Sequence, residues 1–180
     1  MARGFTAVEL LVVIAIVAIL LALALPSFQP IIDRWRVRQA VEGMQSVMYY
    51  ARSEAIKRGG NVVAEKLSTD VNDNSCAAPD DWSCGWIVCT STNNNCGTDS
   101  VTLQRFDPIG VDVKGLGGSA NADIQFNRWG LAAQAQWLGF TVSPKDKGMT
   151  DPATRGLCMS SAGRMRIIPM ESVPCSDTNN

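Results

Sequence analysis

The chain has 180 residues, the size of one domain or of a domain with an appendage. Its 16 basic and 17 acidic residues leave a net charge of −1, which excludes an overall basic coat of the kind that binds nucleic acid. The absence of histidine excludes Ser-His-Asp and Cys-His catalysis and histidine-ligated zinc. With no other catalytic constellation visible, we expect neither an enzyme nor a bound cofactor.

Apolar residues dominate the start of the chain, where sixteen follow one another from Leu10 to Leu25. The segment Phe5–Leu25 would form about 31 Å of helix, which is enough to cross the hydrocarbon core of a bilayer. Glu9 lies inside this segment, where a carboxylate costs about 2.5–3.5 kcal/mol and needs a partner. An ordinary secretory signal, cleaved at Ala22-Leu23-Ala24, is the alternative, but it does not explain Glu9.

The residues before the apolar run, Gly4-Phe5-Thr6-Ala7-Val8-Glu9-Leu10, resemble the prepilin signal of type IV pilins and type II secretion pseudopilins. The resemblance implies a leader, residues 1–4, which prepilin peptidase removes by cutting between Gly4 and Phe5. It also implies N-methylation of Phe5. In assembly, Glu9 would pair with the α-amine of Phe5 on a neighbouring subunit, so that two buried charges compensate each other's desolvation.

A second helical pattern follows the apolar run. Pro26 falls where pilin helices commonly carry a proline, and it predicts a kink. Between Ile31 and Arg58, apolar residues recur at spacings of three and four, which places them on one face of a helix. They are Val37, Val41, Met44, Met48, Ala51 and Ala55. We therefore predict one long helix, whose residues 5–30 span a membrane or lie in a filament core and whose second half is amphipathic.

Short β-like runs, separated by Gly, Asn, Asp and Pro, fill the rest of the chain. The candidate strands are Val62–Ala64, Gly85–Cys89, Val101–Phe106, Val111–Lys114, Ala122–Asn127, Phe140–Val142, Leu157–Ser160 and Arg164–Ile168. A helix followed by consecutive strands predicts an α+β fold, with a small antiparallel sheet packed on the helix. We expect residues 31–180 to form this domain, made of the amphipathic helix and a β-rich part.

Several segments resemble the GspH/FimT family, and the resemblance covers nearly the whole chain. They are Ala51–Gly59, Cys84–Val88, Ile124–Gly130, Leu157–Ser160 and Gly163–Arg166. That family contains the H-type pseudopilin of type II secretion and the FimT and FimU minor pilins of type IV pili. The resemblance implies a type IV pilin fold, with major and minor pilins and prepilin peptidase as partners. It also implies a location in the inner membrane before assembly and in the pilus afterwards.

The six cysteines are an even number in a domain expected outside the cytoplasm, and they indicate disulfide bonds. They are Cys76, Cys84, Cys89, Cys96, Cys158 and Cys175. Cys158 and Cys175 flank a predicted hairpin, and a bridge between them would contribute about 3 kcal/mol. The partners of the four central cysteines stay open. Because no Cys-x-x-Cys occurs and histidine is absent, we expect no metal site.

Charge is segregated along the chain. Residues 59–127 carry nine acidic and three basic side chains, a net charge of −6. Residues 128–168 carry six basic and two acidic side chains, a net charge of +4, and residues 31–58 have a net charge of +3. Four tryptophans in the acidic and C-terminal parts could stack on bases, although packing in a core or an interface is expected first. They are Trp82, Trp86, Trp129 and Trp137.

The segment Gly163-Arg164-Met165-Arg166 lies in the basic part. On a strand its two arginines point to the same side, where two guanidinium groups can hold successive phosphates. Some FimT-type pilins bind DNA during natural transformation through a Gly-Arg-x-Arg element at the C-terminal end, and this segment resembles it. Salt bridges or contacts with the next subunit are the alternative roles for Arg164 and Arg166.

These patterns together predict a minor pilin of a type IV pilus. It would assemble through its N-terminal helix, lie at or near the fibre tip and prime the filament there. A candidate site for double-stranded DNA would be formed by Gly163, Arg164 and Arg166. The alternative function is that of an H-type pseudopilin in a type II secretion system.

Overall fold

A computed structural model of the chain describes residues 5–24, 28–67, 76, 78–91, 93, 95–97, 100–107, 110–117, 123–133 and 137–176. Two predicted features lie outside these residues: the cleavage-site glycine Gly4, with the rest of the leader, and the kink at Pro26.

The first helix, α1 (Ala7–Ala24), is apolar along nearly its whole length, and all of its described side chains are exposed. Such a surface is stabilised only when it is removed from water, so its partner must come from outside the described residues. None of the helices, as far as the structure describes them, has both the length and the apolarity of a membrane span.

The second helix, α2 (Gln29–Arg58), follows the predicted amphipathic pattern. The predicted stripe is confirmed, since all six of its residues are buried: Val37, Val41, Met44, Met48, Ala51 and Ala55. Lys57 and Arg58 occupy the last turn, where cations interact favourably with the free carbonyl groups of a helix.

Eight strands follow α2 in the residues that the structure describes. They are β1 (Val62–Lys66), β2 (Trp86–Thr90), β3 (Val101–Phe106), β4 (Val111–Gly117), β5 (Asp123–Phe126), β6 (Trp137–Pro144), β7 (Arg155–Ser160) and β8 (Met165–Pro169). Each of them overlaps a predicted strand, with ends that differ by at most three residues. The α+β class and the pilin-type arrangement of a long helix packed on antiparallel strands are confirmed.

The number of sheets differs from the prediction. We expected one small antiparallel sheet, whereas the structure has two sheets of four strands each. Sheet 1 has the order β3-β2-β1-β5 and sheet 2 the order β4-β6-β7-β8, with antiparallel pairing throughout. The chain leaves sheet 1 at β4 and returns to it at β5, a crossover that the spacing of apolar residues does not reveal.

Both sheets pack on α2 and share one core. The helix contacts β1 and β5 of sheet 1 and β4, β6 and β7 of sheet 2. Trp82 and Phe140 meet edge to face in this core, with ring centroids 5.1 Å apart. Trp86 and Phe106 stack with centroids 4.8 Å apart. The helix therefore sets the position of every strand that it touches.

The C-terminal segment covers the face of sheet 2 that points away from α2. After β8 the chain makes a 3₁₀ turn (Met170–Ser172) and returns to Cys158 on β7 through the Cys158–Cys175 disulfide. A β-carbon added to Gly139 would lie 2.7 Å from Cβ of Cys175, so the close approach needs glycine at this position of β6. Cys175 packs there with Cys158 and Ile168 in a small second cluster.

Three disulfides confirm the prediction of disulfide bonds. They join Cys76 to Cys84, Cys89 to Cys96 and Cys158 to Cys175. The first two resolve the pairing that the sequence left open among the central cysteines. Each of them closes a short loop beside sheet 1, and the buried Lys66 ammonium donates hydrogen bonds to the carbonyl groups of Cys76 and Ala78.

One ion pair joins the start of α2 to the turn between β6 and β7. Nζ of Lys147 lies 2.6 Å from Oδ2 of Asp33, whose side chain is nearly buried. The hydrogen bond to Asp33 raises the pKa of Lys147 above its usual value. The contact holds sheet 2 against the helix near its N-terminal end, and the charge of Lys147 that it needs is lost only as the pH rises through that raised pKa.

The double substitution Cys158→Ala/Cys175→Ala tests the disulfide over sheet 2. We expect the free energy of unfolding to fall by about 3 kcal/mol, because the bridge restricts the unfolded chain over a separation of 17 residues. Urea denaturation of the oxidised full chain in a neutral detergent measures this.

Cys76→Ala/Cys84→Ala is the matched control. Its separation is only 8 residues, so the entropic model predicts a smaller loss of about 2.5 kcal/mol. A loss below about 1 kcal/mol for the Cys158–Cys175 pair would show that the C-terminal segment holds its place without the bridge.

Candidate functional site

The predicted Gly-Arg-x-Arg element spans the end of the turn between β7 and β8, where Gly163 and Arg164 lie, and the start of β8, where Arg166 lies. Ser160, the last residue of β7, holds both backbone groups of Arg164: its N–H donates to the Arg164 carbonyl (3.0 Å), and its Oγ accepts from the Arg164 N–H (3.2 Å). The Gly163 N–H donates to the Ser160 carbonyl at 2.8 Å. Gly163 has φ +77°, in the left-handed region where a side chain is strained. The turn therefore presents Arg164 in a fixed backbone geometry.

Arg52 on α2 contacts this turn and holds its backbone. Its Nη1 donates a hydrogen bond to the carbonyl of Gly163. A β-carbon at Gly163 would lie 2.6 Å from the Cζ atom of Arg52, so the guanidinium group lies directly against the glycine. The sequence analysis assigns Arg52 no role of its own, and it missed this contact. The two residues are 111 positions apart, and no local pattern joins them.

Arg164 and Arg166 are both exposed. Arg164 lies just before β8, and Arg166 lies on the side of β8 that faces away from α2. Arg166 lies opposite Cys158 in the register of β7 and β8, next to the disulfide that holds the C-terminal segment. In the part of the chain that the structure describes, neither arginine forms an ion pair. Of the two alternative roles, contact with a neighbouring subunit therefore remains open, while a salt bridge finds no described partner.

A second turn, residues 127–131, also lies against Arg52. It follows β5 and carries Trp129, whose side chain is 69% exposed. The guanidinium carbon of Arg128 lies 5.7 Å from the centroid of the indole ring. A β-carbon at Gly130 would lie 3.3 Å from the carbonyl oxygen of Arg52. The Arg128–Trp129 turn and the Gly163 turn thus contact the same helix residue, one at its carbonyl and the other at its guanidinium group.

The other tryptophans of the sequence analysis are in different surroundings. Trp82 and Trp86 are fully buried in the shared core, as expected of packing residues. Trp137 is half-buried against the cluster around the Cys158–Cys175 disulfide. Of these three and Trp129, only Trp129 offers an open aromatic surface.

The charges at this end of α2 leave a net positive surface. Glu54 accepts hydrogen bonds from Nζ of Lys57 (2.7 Å) and Nε of Arg58 (2.9 Å). The hydrogen bond from Lys57, followed by the one from Arg58, holds the pKa of Glu54 below its usual range. Glu54 is therefore ionised at neutral pH, and its negative charge offsets part of the positive charge of Lys57 and Arg58. Within the described residues, four arginines of this surface remain without an ion pair: Arg52, Arg128, Arg164 and Arg166. Such a surface attracts anions.

No group of acidic or cysteine side chains in the described ranges is arranged to hold a metal ion.

A separate basic groove lies near the start of α2, remote from the Gly163 turn. It encloses about 590 Å³ and is lined by Arg34, Trp35, Arg38 and Arg155, among others. Trp35 is 64% exposed, so this groove combines arginines with an open indole, as the Arg128–Trp129 turn does. It therefore provides matched positions for control substitutions.

The N-terminus of α1 contains a contact that the sequence analysis did not foresee. The Glu9 carboxylate accepts hydrogen bonds from the backbone N–H (3.0 Å) and the hydroxyl group (2.8 Å) of Thr6. In return, the Glu9 N–H donates to the Thr6 hydroxyl at 3.3 Å. This is a reciprocal capping box, and the Thr-x-x-Glu spacing is its sequence signal. Phe5, the predicted mature N-terminus, is 84% exposed beside it.

Gly163→Ala tests the contact between Arg52 and the turn. We expect it to lower the free energy of unfolding by at least about 2 kcal/mol, from the left-handed backbone conformation and from the displaced Arg52 hydrogen bond together. Urea denaturation measures the loss.

Gly148→Ala is the control for backbone strain alone. Gly148 has nearly the same φ, +74°, but nothing lies within 4 Å of its added β-carbon. We expect a loss of about 1 kcal/mol there. Equal losses in the two variants would contradict a role for Arg52 in holding the turn.

Comparison with known proteins places the chain in a family. The family model described as "Type II transport protein GspH" matches residues 40–163. The match covers much of α2 and seven of the eight strands, and it ends at Gly163. Arg164 and Arg166 thus lie immediately beyond it, and the match is silent on their role.

Two curated relatives are fimbrial proteins of Pseudomonas aeruginosa. Each is 37% identical to this chain over 68 residues, which is 38% of this chain and 44% of the relative. The chain therefore matches less than half the length of these relatives.

Among solved structures, the type IV minor pilin FimU of Pseudomonas aeruginosa strain PAO1 is similar in two crystal forms. One has a TM-score of 0.57 at 24% identity, covering 77% of this chain and 98% of FimU. The other has a TM-score of 0.58 at 23% identity, covering 79% and 96%. This likeness supports the pilin fold, and the family match supplies the assignment. The chain belongs to the family of the type II transport protein GspH and has the fold of a type IV pilin.

Proposed function

We propose that this chain is a minor pilin of a type IV pilus, a structural protein rather than an enzyme. Prepilin peptidase would cut between Gly4 and Phe5, and Phe5 would then be N-methylated. The apolar N-terminal segment holds the chain in the inner membrane before assembly and in the filament afterwards. The β-rich domain lies at or near the fibre tip, where it primes assembly with other major and minor pilins.

The observation that carries this proposal is the exposed apolar surface of α1. All of its described side chains are open to solvent, while the apolar stripe of α2 is buried within the domain. An exposed apolar helix does not stabilise a lone chain, because the hydrophobic effect stabilises only surface that is removed from water. Packing among the helices of neighbouring subunits satisfies α1 along its whole length.

Glu9 supplies the charge that selects the assembled position. Its carboxylate caps α1 within the chain, and it lies one helical turn from Phe5. Cleavage before Phe5 creates a new α-amine next to an apolar helix. An ammonium group in apolar surroundings needs a carboxylate partner, and Glu9 of the neighbouring subunit meets that need.

The DNA-binding part of the proposal concerns the Gly163 turn. Arg164 and Arg166 are exposed at the start of β8, and neither is in an ion pair with a described residue. Ser160 and Arg52 fix the backbone that carries them. Two adjacent guanidinium groups with free donors suit the phosphates of double-stranded DNA, so we propose that the pilin captures DNA here for natural transformation.

The second candidate function is that of an H-type pseudopilin in a type II secretion system. The description of the matching family, type II transport, favours it. In a host strain that lacks the gene, a pseudopilin would restore protein secretion, whereas a minor pilin would restore surface pili. Restoration of secretion without pili would therefore replace the pilin proposal by this one.

Glu9→Ala tests assembly in such a host strain. We expect at least about a tenfold loss of surface pili, because an unpaired buried ammonium costs about 3–5 kcal/mol. Electron microscopy of surface pili measures the loss, with membrane levels of the protein checked in parallel.

Thr6→Ala is the matched control, since it removes the capping partner but keeps the carboxylate. We expect pili to persist in this variant. If Thr6→Ala abolished pili as thoroughly as Glu9→Ala, the role of Glu9 would be to cap α1 and not to pair with Phe5.

Arg164→Ala/Arg166→Ala tests DNA binding. The oxidised full chain in a neutral detergent is titrated against a blunt DNA duplex across a salt series. We expect weaker binding and a log–log salt slope that is flatter by about 2, since two phosphate contacts are lost.

Arg34→Ala/Arg38→Ala is the control, because it removes the same charge from the remote groove at the start of α2. We expect its salt slope to match that of the unsubstituted chain. Equal weakening by the two double substitutions would assign the binding to net charge, and absence of binding at low salt would remove the DNA site.

A further inference from the structure

We propose that Trp129 forms a base-stacking platform beside the arginine pair, so that the site takes DNA with an unpaired end in preference to a blunt duplex. This inference rests on the proposed binding of DNA at the Gly163 turn, and it adds the class of DNA that the site selects. It is carried by the exposure of Trp129, by its position next to Arg52 and by the charge around it.

The turn that carries Trp129 is firmly built. Oδ1 of Asn127 accepts hydrogen bonds from the backbone N–H groups of Trp129 and Leu131, each at 3.0 Å. The backbone of Asn127 adds two more, to Gly130 at 2.8 Å and to Leu131 at 2.9 Å. Four hydrogen bonds thus hold a turn whose most prominent side chain is a 69% exposed indole. An indole fixed in this way loses little conformational entropy when a ligand stacks on it.

The position of the turn joins Trp129 to the arginine pair. Gly130 lies against the carbonyl oxygen of Arg52, and Gly163 lies against the guanidinium group of the same residue. The two turns are therefore separated by roughly the length of one arginine side chain. Arg164 directly follows Gly163, so a strand whose phosphate contacts Arg164 at this turn would bring neighbouring bases towards Trp129.

The surroundings of Trp129 combine positive charge with an open aromatic ring. This combination favours a nucleic acid, which has both phosphates and bases, over a protein surface that is only acidic or only apolar. Arg128 covers the ring at 5.7 Å and leaves the rest of the indole open. Arg52 and Arg128 have no ion pair with any residue that the structure describes, and Glu54 is already held by Lys57 and Arg58. An open aromatic ring beside guanidinium groups that have no described ion pair is the arrangement that binds single strands, with bases on the ring and phosphates on the cations.

Base pairing determines which DNA can gain affinity from stacking on Trp129. In a duplex the base faces are stacked on one another and are closed to a side chain. An indole at the surface stacks on an open base face, which each unpaired base of a single-stranded tail offers and a base inside a duplex does not. Trp129 therefore adds affinity for tailed DNA and almost none for a blunt duplex, to which only the arginines contribute.

The test compares two probes, a blunt duplex and the same duplex with a single-stranded tail. The oxidised full chain and the variants Trp129→Ala, Trp129→Phe and Trp35→Ala are titrated with each probe. We expect Trp129→Ala to lower affinity for the tailed duplex by about 5- to 150-fold, the usual effect of losing one stacked base, and to leave the blunt duplex unchanged. Trp129→Phe should retain most of the affinity, because it keeps an aromatic ring.

Trp35→Ala is the matched control, because the Trp35 side chain is 64% exposed and lies on α2 beside Arg34 and Arg38, remote from the Gly163 turn. It should leave both affinities unchanged. Tryptophan fluorescence should fall on binding of the tailed probe by the unsubstituted chain and by Trp35→Ala, but not by Trp129→Ala.

Three outcomes would overturn the inference in distinguishable ways. If the chain binds DNA through Arg164 and Arg166 but Trp129→Ala leaves tailed and blunt affinities equal to those of the unsubstituted chain, the platform is absent and the proposed function stands. If neither probe binds, the proposed function fails and the platform with it. An equal loss on both probes would also overturn it, because it would make Trp129 a general support of the surface.

Discussion

The burial of one apolar stripe of α2 is the interaction on which the rest of the domain depends. Both sheets close one shared core against the buried face of α2, and within the described chain neither sheet has another α-helix packed on it. The helix therefore fixes the two sheets relative to each other. It also brings together chain segments that are remote in sequence, since any turn that lies against α2 is positioned by it.

Arg52 shows how this constraint reaches the functional surface. It is adjacent in sequence to Ala51, a member of the buried stripe, so its backbone is held while its side chain extends along the surface. One turn rests on its carbonyl and the other on its guanidinium group. On the opposite face of β8, the Cys158–Cys175 disulfide holds the C-terminal segment beside Arg166. The arginine pair is thus fixed from both sides of sheet 2, while its side chains remain free to meet a ligand.

Sequence reasoning succeeded where the signal is local. The buried stripe of α2 follows from spacings of three and four, and the eight strands follow from short apolar runs between turn residues. Sequence reasoning failed where the contacting residues are remote from each other in the sequence. The split into two sheets, the central disulfide pairs and the contact of Arg52 with Gly163 depend on which segments meet after folding, and one sequence does not encode that in any local period. The Thr6–Glu9 capping box differs from these remote contacts, because its Thr-x-x-Glu spacing is a local signal that one sequence does carry.

The central claim is that α1 is the filament-forming helix of a pilin, and the mature N-terminus tests it most directly. Pili sheared from the native host would be examined by mass spectrometry for the N-terminal peptide of this chain. The pilin proposal predicts a chain that begins at Phe5 and carries one added methyl group on its α-amine. A chain that begins after Ala24, or that is absent from the sheared pili, would contradict it.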